Sequence, residues 1–136
     1  MDNIGVCGND CSLCPRYIAT NNRNVKRLKE LAKIFKRIGW REHIERPENM
    51  VCHGCISVKW CRYKTVRDCA RAREIDNCGY CDYYPCEKIE RVFDQTKLYT
   101  EFCLENLSKE DFLCFEKAFF TKIENLEKIR QGCKST

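Results

Sequence analysis

Residues 52–86 read CHGCISVKWCRYKTVRDCARAREIDNCGYCDYYPC and hold seven of the 13 cysteines in this chain of 136 residues. The stretch shows little of the three/four spacing of apolar residues that marks a helix, and Gly54, Gly79 and Pro85 favour turns. We therefore predict loops and knuckles here, with short strands or single helical turns at most. So many cysteines in a small chain indicate covalent or metal cross-links that replace part of a hydrophobic core.

Helical patterns flank this stretch on both sides. Apolar residues follow three/four steps over 22–40, 87–97 and 98–107, and Ser108 with Asp111 forms a capping box before a last helix that continues to residue 130. The predicted fold class is small and mainly α, with little β structure and with helices around a cysteine-rich, metal-stapled loop region. No linker or low-complexity tract divides the chain. We predict a single domain over 1–136, with a cysteine-rich part over 1–95 and a helical part over 96–136.

Disulfide bonds are the first alternative to metal, because cysteine-dense short chains are usually secreted. Residues 1–7 show neither a basic start nor an apolar run, so we expect no export signal. The odd number of cysteines would leave at least one thiol without a disulfide partner. Three pairs have the Cys-x-x-Cys spacing, which allows both thiolates to bind one metal ion. We therefore predict a reducing, cytoplasmic setting. No stretch approaches the roughly 18 apolar residues of a membrane span, so a membrane protein is not expected.

Two of the Cys-x-x-Cys pairs predict the main metal site. Zinc ribbons join two such pairs around one tetrahedral ion, and the separation of these pairs is close to that of a ribbon. The predicted ligands are Cys52, Cys55, Cys78 and Cys81. A zinc ion held by four thiolates has no open coordination position, which favours a structural or interaction role over catalysis. The sequence shows no positive sign of an enzyme.

A second zinc ion is predicted at the N-terminal cysteines. Cys7, Cys11 and Cys14 would supply three ligands, and we favour Cys86 as the fourth over Cys69 or Cys61. Ten thiols also suit a six-cysteine binuclear cluster beside a four-cysteine site. Residues 1–86 carry 16 Lys and Arg against 10 Asp and Glu, and thiolate sites would neutralise much of this excess because four thiolates around Zn²⁺ leave a charge of about −2.

Iron is the competing metal. The spacing of Cys7, Cys11 and Cys14 matches the triplet that holds a four-iron cluster in radical S-adenosylmethionine enzymes. Those enzymes place the triplet in a barrel of roughly 200 residues or more, which this chain cannot form. A small iron–sulfur redox protein remains the alternative on this spacing.

A nucleic-acid-binding zinc protein is a third hypothesis. Its motivation is a basic and aromatic cluster formed by Trp60, Arg62, Tyr63, Lys64, Arg67, Arg71 and Arg73. A charge-rich loop near thiolate sites needs basic residues in any case, so we expect a protein partner rather than nucleic acid.

The remaining cysteines and the histidine inside one pair are not assigned to metal. Cys103, Cys114 and Cys133 are isolated in or beside predicted helices, where cysteine behaves as a small hydrophobic residue. His53 lies between two predicted ligands, and a residue in that position usually points away from the ion.

The cysteine motifs resemble a known family. They are Cys7-Gly8-x-Asp10-Cys11-x-x-Cys14-Pro15-x-Tyr17-Ile18-Ala19, Cys52-x-Gly54-Cys55, Arg67-x-Cys69-Ala70 and Cys78-x-x-Cys81-x-x-Tyr84-Pro85-Cys86-Glu87-Lys88. In this order they resemble the prokaryotic cysteine-rich family known as domain of unknown function 3795, over about residues 4–95. The resemblance implies a bacterial or archaeal cytoplasmic protein that binds zinc. Members often carry another cysteine where this chain has Lys64, so Cys61 is left out of the expected ligands.

Overall fold

The computed structural model describes residues 4–54 and 62–134, with side chains up to residue 132. Its helices are α1 (Pro15–Asn21), α2 (Val25–Arg37), α3 (Pro47–Met50), α4 (Lys64–Ala72), α5 (Glu87–Asn106), α6 (Lys109–Phe119) and α7 (Lys122–Lys134). Of two 3-10 turns, Cys11–Leu13 precedes α1 and Cys78–Tyr80 lies between α4 and α5. Within the described ranges there is no strand, and an isolated antiparallel bridge joins Ile4 to Asp10. The small, mainly α fold class is therefore confirmed.

Helix α2 forms where the apolar periodicity predicts it and organises the first of two hydrophobic clusters. The Asn24 side chain accepts a hydrogen bond from the Arg27 N–H (3.0 Å) and so caps the N-terminus. Leu31 and Phe35 lie on the buried face, and the Phe35 ring meets the Phe115 ring of α6 edge to face, with centroids 5.9 Å apart. This cluster joins α1, α2, α3, α6 and the C-terminal half of α5.

The second hydrophobic cluster joins the N-terminal loop to α4, α5 and α7. Its buried members are Val6, Cys7, Val66, Ala70, Ile89, Val92 and Leu126. Helix α5 contributes to both clusters, because Ile89 and Val92 belong to the second and Cys103 to the first. The C-terminal helix α7 is thereby packed against the segment that carries the first cysteines.

The cysteine-rich stretch is more helical than predicted. Residues 64–72 form α4, a helix of nine residues, where the sequence predicted loops and single turns at most. Only Val66 and Ala70 form its apolar stripe, and an ion pair between Lys64 and Asp68 (2.6 Å) supports it from the solvent side. A stripe of two small apolar residues is too narrow to stand out in a periodicity count.

Two further helix boundaries differ from the prediction. Residues 87–106 form one continuous helix rather than two, because no Gly or Pro interrupts them. The predicted last helix is divided into α6 and α7, although its Ser108 cap is confirmed by a bond from the Asp111 N–H (3.1 Å). The division arises where the N-terminal loop docks, since the Asp10 N–H donates to the Ala118 carbonyl (2.9 Å).

Gly8 allows the N-terminal loop to approach α7 closely. Its φ angle of +103° is rarely adopted by residues with a side chain, and a Cβ atom there would lie 2.7 Å from the Lys122 carbonyl oxygen. The Asn125 side-chain amide donates to the Gly8 carbonyl (2.9 Å) and fixes the contact from the other side. Only glycine fits this position.

Substitution of Gly8 by alanine should therefore destabilise the protein more than the same change at an open glycine. We expect Gly8→Ala to lower the free energy of unfolding by about 2–4 kcal/mol, because both the backbone strain and the contact with α7 are unfavourable. Gly39 is the matched control, with φ +81° and no atom within 4 Å of the added Cβ, and Gly39→Ala should cost about 1 kcal/mol. Urea denaturation measures both, and equal losses would contradict the close approach.

Candidate metal centre

Two of the Cys-x-x-Cys pairs form 3-10 turns of the same construction, Cys11–Leu13 and Cys78–Tyr80. Asp10 caps the first turn and Asn77 the second, and each side chain accepts from the N–H two residues on, at 3.1 and 2.9 Å. In each turn the N–H of the second cysteine donates to the carbonyl of the first, at 3.2 and 3.1 Å. The turn brings the two cysteines of a pair to one side of a tight loop, as metal knuckles require.

Helix α7 holds the second turn in place. A Cβ atom on Gly79 would lie 2.8 Å from the Ile129 side chain, so the turn lies directly on the helix. The Arg130 guanidinium donates to the Cys81 carbonyl oxygen (2.7 Å) and lies over the Tyr84 ring, 5.0 Å from its centroid. The loop that follows the turn is thereby anchored to the C-terminal part of the chain.

Four cysteines line one small cavity, which we call the Cys69 cavity. They are Cys69 on α4, Cys78 and Cys81 at the second turn, and Cys86 at the N-cap of α5. The cavity volume is about 20 Å³, enough for one water-sized sphere. Val66, Ala70 and Ile89 form apolar parts of its wall. The wall of this cavity therefore contains four cysteine residues from three separate elements.

The cavity disfavours negative charge on Cys78 when no cation is present. Burial raises the pKa of the Cys78 thiol to about 12, and the nearby thiolates of Cys7 and Cys86 raise it further, followed by those of Cys81 and Cys69. These thiols therefore lie close enough to interact electrostatically. A divalent cation among them would reverse the effect, because it stabilises thiolates directly.

Two cationic side chains lie close to Cys69. The Cys69 thiol has a lowered pKa, chiefly because of its hydrogen bond with the Arg73 side chain, and Lys88 contributes through its charge and a further hydrogen bond. Arg73 and Lys88 both line the cavity. They place positive charge where a four-thiolate zinc site would carry excess negative charge.

The other candidate cysteines line a larger cavity of about 150 Å³, which we call the aromatic cavity. Its wall includes Cys7, Cys11, Cys14 and Cys52. Burial raises the pKa of the Cys14 thiol to about 11, whereas the backbone N–H groups of Tyr17 and Arg16, at the start of α1, oppose the rise. The charge of Cys52 also raises the pKa of Cys14, so these two thiols are neighbours.

A family model described as a protein of unknown function, DUF3795, matches residues 3–91. The chain belongs to this family. No curated protein and no solved structure matches it. The matched region contains every cysteine of the two cavities, whereas α6 and α7 lie beyond it. In this DUF3795 protein the helices outside the family region therefore support the motifs inside it.

The cysteines that lie together in the structure are not the sets of ligands that their spacing in the sequence predicts. Cys78 and Cys81 lie with Cys69 and Cys86, whereas Cys52 lies with Cys14 across the other cavity. Cys55 and Cys61 lie outside the described residues. Over 4–54 and 62–132, no group of three or more His, Cys, Asp or Glu side chains is arranged so that it could hold a metal ion. Metal binding by this DUF3795 protein remains a prediction.

The cysteines that were not assigned to metal have different environments. Cys103 is fully buried in the first hydrophobic cluster, as predicted for a small hydrophobic residue. Cys114 is exposed on α6, so the same interpretation is wrong for it. All ten cysteines whose side chains are described carry reduced thiols. His53 is exposed.

The basic and aromatic cluster does not form one open face in the described residues. Arg67 is buried, Arg62 donates to the Tyr99 hydroxyl (2.5 Å), and the Tyr63 ring packs against the second hydrophobic cluster. Arg73 lies over the Tyr83 ring, 4.6 Å from its centroid. Trp60 lies outside the described ranges, and binding of nucleic acid by the cluster stays a prediction.

Sequence reasoning named Arg73 in the basic and aromatic cluster but did not pair it with Cys69, and it assigned no role to Lys88 or Arg130. Arg73 follows Cys69 by four positions, so the pair would have been found if α4 had been predicted as a helix. Lys88 and Arg130 carry no local signal of this kind. Among the described helices, none is long and apolar enough to cross a membrane.

Proposed function

We propose that this protein binds zinc through the four cysteines of the Cys69 cavity, with a structural rather than a catalytic role for the ion. The observation that carries the proposal is the convergence of Cys69, Cys78, Cys81 and Cys86 on one cavity from three separate elements. Four thiolates satisfy the tetrahedral preference of zinc and leave no open position for a substrate. The ion would join α4, the second turn and the start of α5.

Charge and burial support zinc at this position. The apolar wall and the neighbouring thiols penalise an isolated thiolate at Cys78, and a divalent cation removes that penalty. Arg73 and Lys88 compensate the excess charge of about −2 on a four-thiolate zinc site. Ligand exchange is also hindered, because Arg130 and Ile129 of α7 hold the second turn.

A second zinc ion is part of the same proposal. Cys11, Cys14 and Cys52 all line the aromatic cavity, and we propose Cys55, which the sequence pairs with Cys52, as the fourth ligand. Thiolate sites of this kind persist in a reducing compartment, so we place the protein in the cytoplasm. The two ions would stabilise a module that binds a protein partner.

Elemental analysis of protein purified without oxygen tests the metal. We expect two zinc ions per chain and no visible absorption band, because zinc has a filled d shell. Iron with inorganic sulfide and a broad band near about 400 nm would instead support the iron–sulfur alternative and contradict the zinc proposal.

A double substitution tests which cysteines share an ion. In our grouping, Cys81 and Cys86 hold the same ion, so Cys81→Ser combined with Cys86→Ser should lower the zinc content from two ions per chain to one. The grouping from sequence spacing places them on different ions and predicts the loss of both. Cys114→Ser is the matched control, because Cys114 is exposed and lines neither cavity, and it should keep two zinc ions.

A further inference from the structure

The aromatic cavity has walls that suit a flat apolar molecule. Apart from the cysteines, its wall is formed largely by aromatic side chains, namely Phe35, Trp40, Tyr99, Phe119 and Phe120. Trp40 meets the rings of Phe35, Tyr99 and Phe119 with centroids 5.2–5.8 Å apart. The volume of about 150 Å³ equals that of an engineered cavity that accepts benzene. The cavity therefore accepts one aromatic ring.

Two buried polar atoms on the wall of this cavity lack partners in the described part of the chain. They are the indole nitrogen of Trp40 and the side-chain oxygen of Asn9. A buried donor or acceptor without a hydrogen bond costs free energy, so a ligand that satisfies either atom gains affinity. Each atom exposes less than 1 Å² of surface, so an occupant reaches it when the Trp40 or Asn9 side chain rotates towards the cavity.

Positive charge surrounds the same cavity. Arg16, Arg41 and Arg62 all line it. Burial lowers the pKa of Arg41, and the charges of Arg16 and Arg62 lower it further, opposed by Glu45. The charges of Arg16 and Arg62 both act on Arg41, so the excess of positive charge at this cavity favours an anion, and a carboxylate matches the fork of a guanidinium.

We propose that the aromatic cavity binds a small aromatic carboxylate whose ring carries a hydroxyl or amino group. The ring packs among the aromatic side chains, the carboxylate pairs with the arginines and the Trp40 indole N–H, and the ring substituent donates to Asn9. The site is separate from the Cys69 cavity and does not depend on zinc there. The cysteines proposed for the second zinc ion also line the aromatic cavity, so the experiments below use protein that carries this ion.

Titration with 4-hydroxybenzoate tests the site. The chain has two tryptophans, Trp40 and Trp60, so a Trp60→Phe variant assigns the Trp40 indole resonance in a ¹H–¹⁵N spectrum of the protein as purified. We expect a saturable shift of that resonance with a Kd between about 10 µM and 1 mM, the range for a ligand of this size. No saturable shift up to about 10 mM would overturn the proposal.

Ligand analogues separate the contributions of charge and ring. The uncharged 4-hydroxybenzyl alcohol should bind at least about tenfold more weakly than 4-hydroxybenzoate, because it forms no charge-assisted hydrogen bond. Acetate should produce no saturable shift, since it fills none of the aromatic space. Equal affinity of the alcohol or of acetate would overturn the assignment of an aromatic anion.

Protein variants locate the site. Arg41→Met removes the guanidinium that lies over the Phe35 ring but keeps the aliphatic part of the side chain, and it should weaken 4-hydroxybenzoate binding at least about tenfold. Arg37→Met is the matched control, because Arg37 is exposed at the end of α2 and does not line the cavity. If Arg41→Met does not fold, Arg62→Met at an exposed position should also weaken binding. Equal affinities of the cavity variant and Arg37→Met for 4-hydroxybenzoate would overturn the proposal. The zinc content of both variants should stay unchanged, so a loss of ligand binding can be told apart from a loss of zinc.

Discussion

Removal of zinc by a strong chelator is expected to unfold this protein cooperatively. The proposed ion at the Cys69 cavity joins α4, the second Cys-x-x-Cys turn and the start of α5. Structural zinc contributes about 10–16 kcal/mol of apparent binding free energy, which matches or exceeds the net stability of about 5–15 kcal/mol of a typical domain. Far-UV circular dichroism during a chelator titration should show one transition with loss of helix, and added zinc should restore the signal.

Two controls make this result specific to the metal. Chelator saturated with zinc beforehand should leave the spectrum unchanged. The Cys114→Ser variant should unfold at the same chelator concentration as the wild type, because Cys114 is exposed on α6 and lines neither cavity. Metal-free protein that keeps its helical signal and a cooperative thermal transition would contradict a structural role for the ion.

Local sequence signals predicted the parts of the fold that depend on neighbouring residues. Asn24 caps α2 and Ser108 caps α6, and each side chain accepts a hydrogen bond from the backbone N–H three positions later. A short stretch of sequence therefore contains the information for each helix start. The 3-10 turn at Cys78–Tyr80 is of the same kind, because it lies where the sequence predicts knuckles or single turns. The family resemblance over residues 4–95 is likewise confirmed by the match over 3–91.

The grouping of the cysteines could not be predicted in this way, because it depends on contacts between distant segments. Cys69 of α4 and Cys86 at the start of α5 line one cavity where α4 packs on α5, and α4 carries too few apolar residues to be recognised. The division between α6 and α7 lies beside a contact with the N-terminal loop, more than 100 positions earlier. There the Asp10 N–H donates a hydrogen bond to the Ala118 carbonyl. The spacing of residues along the chain does not reveal such contacts.

Leu126→Ala should be among the most destabilising single substitutions outside the cysteines. Leu126 is fully buried in the second hydrophobic cluster, and its side chain lies against Gly8 beside the first cysteine. Truncation of a buried leucine removes apolar contacts and leaves a cavity, which costs about 2–5 kcal/mol. Urea denaturation of the zinc-loaded protein should show this loss as a lower midpoint with an unchanged slope.

The same helix offers a matched control for this prediction. Ile123 lies three positions before Leu126 and is 39% exposed, so Ile123→Ala removes a comparable side chain without a cavity and should cost less than about 1 kcal/mol. A large difference between the two variants would indicate that α7 is an integral part of the core, although it lies outside the DUF3795 match. Equal, small losses would mean that the motif region folds without α7, and the contacts of Gly8 and Gly79 with that helix would then be dispensable.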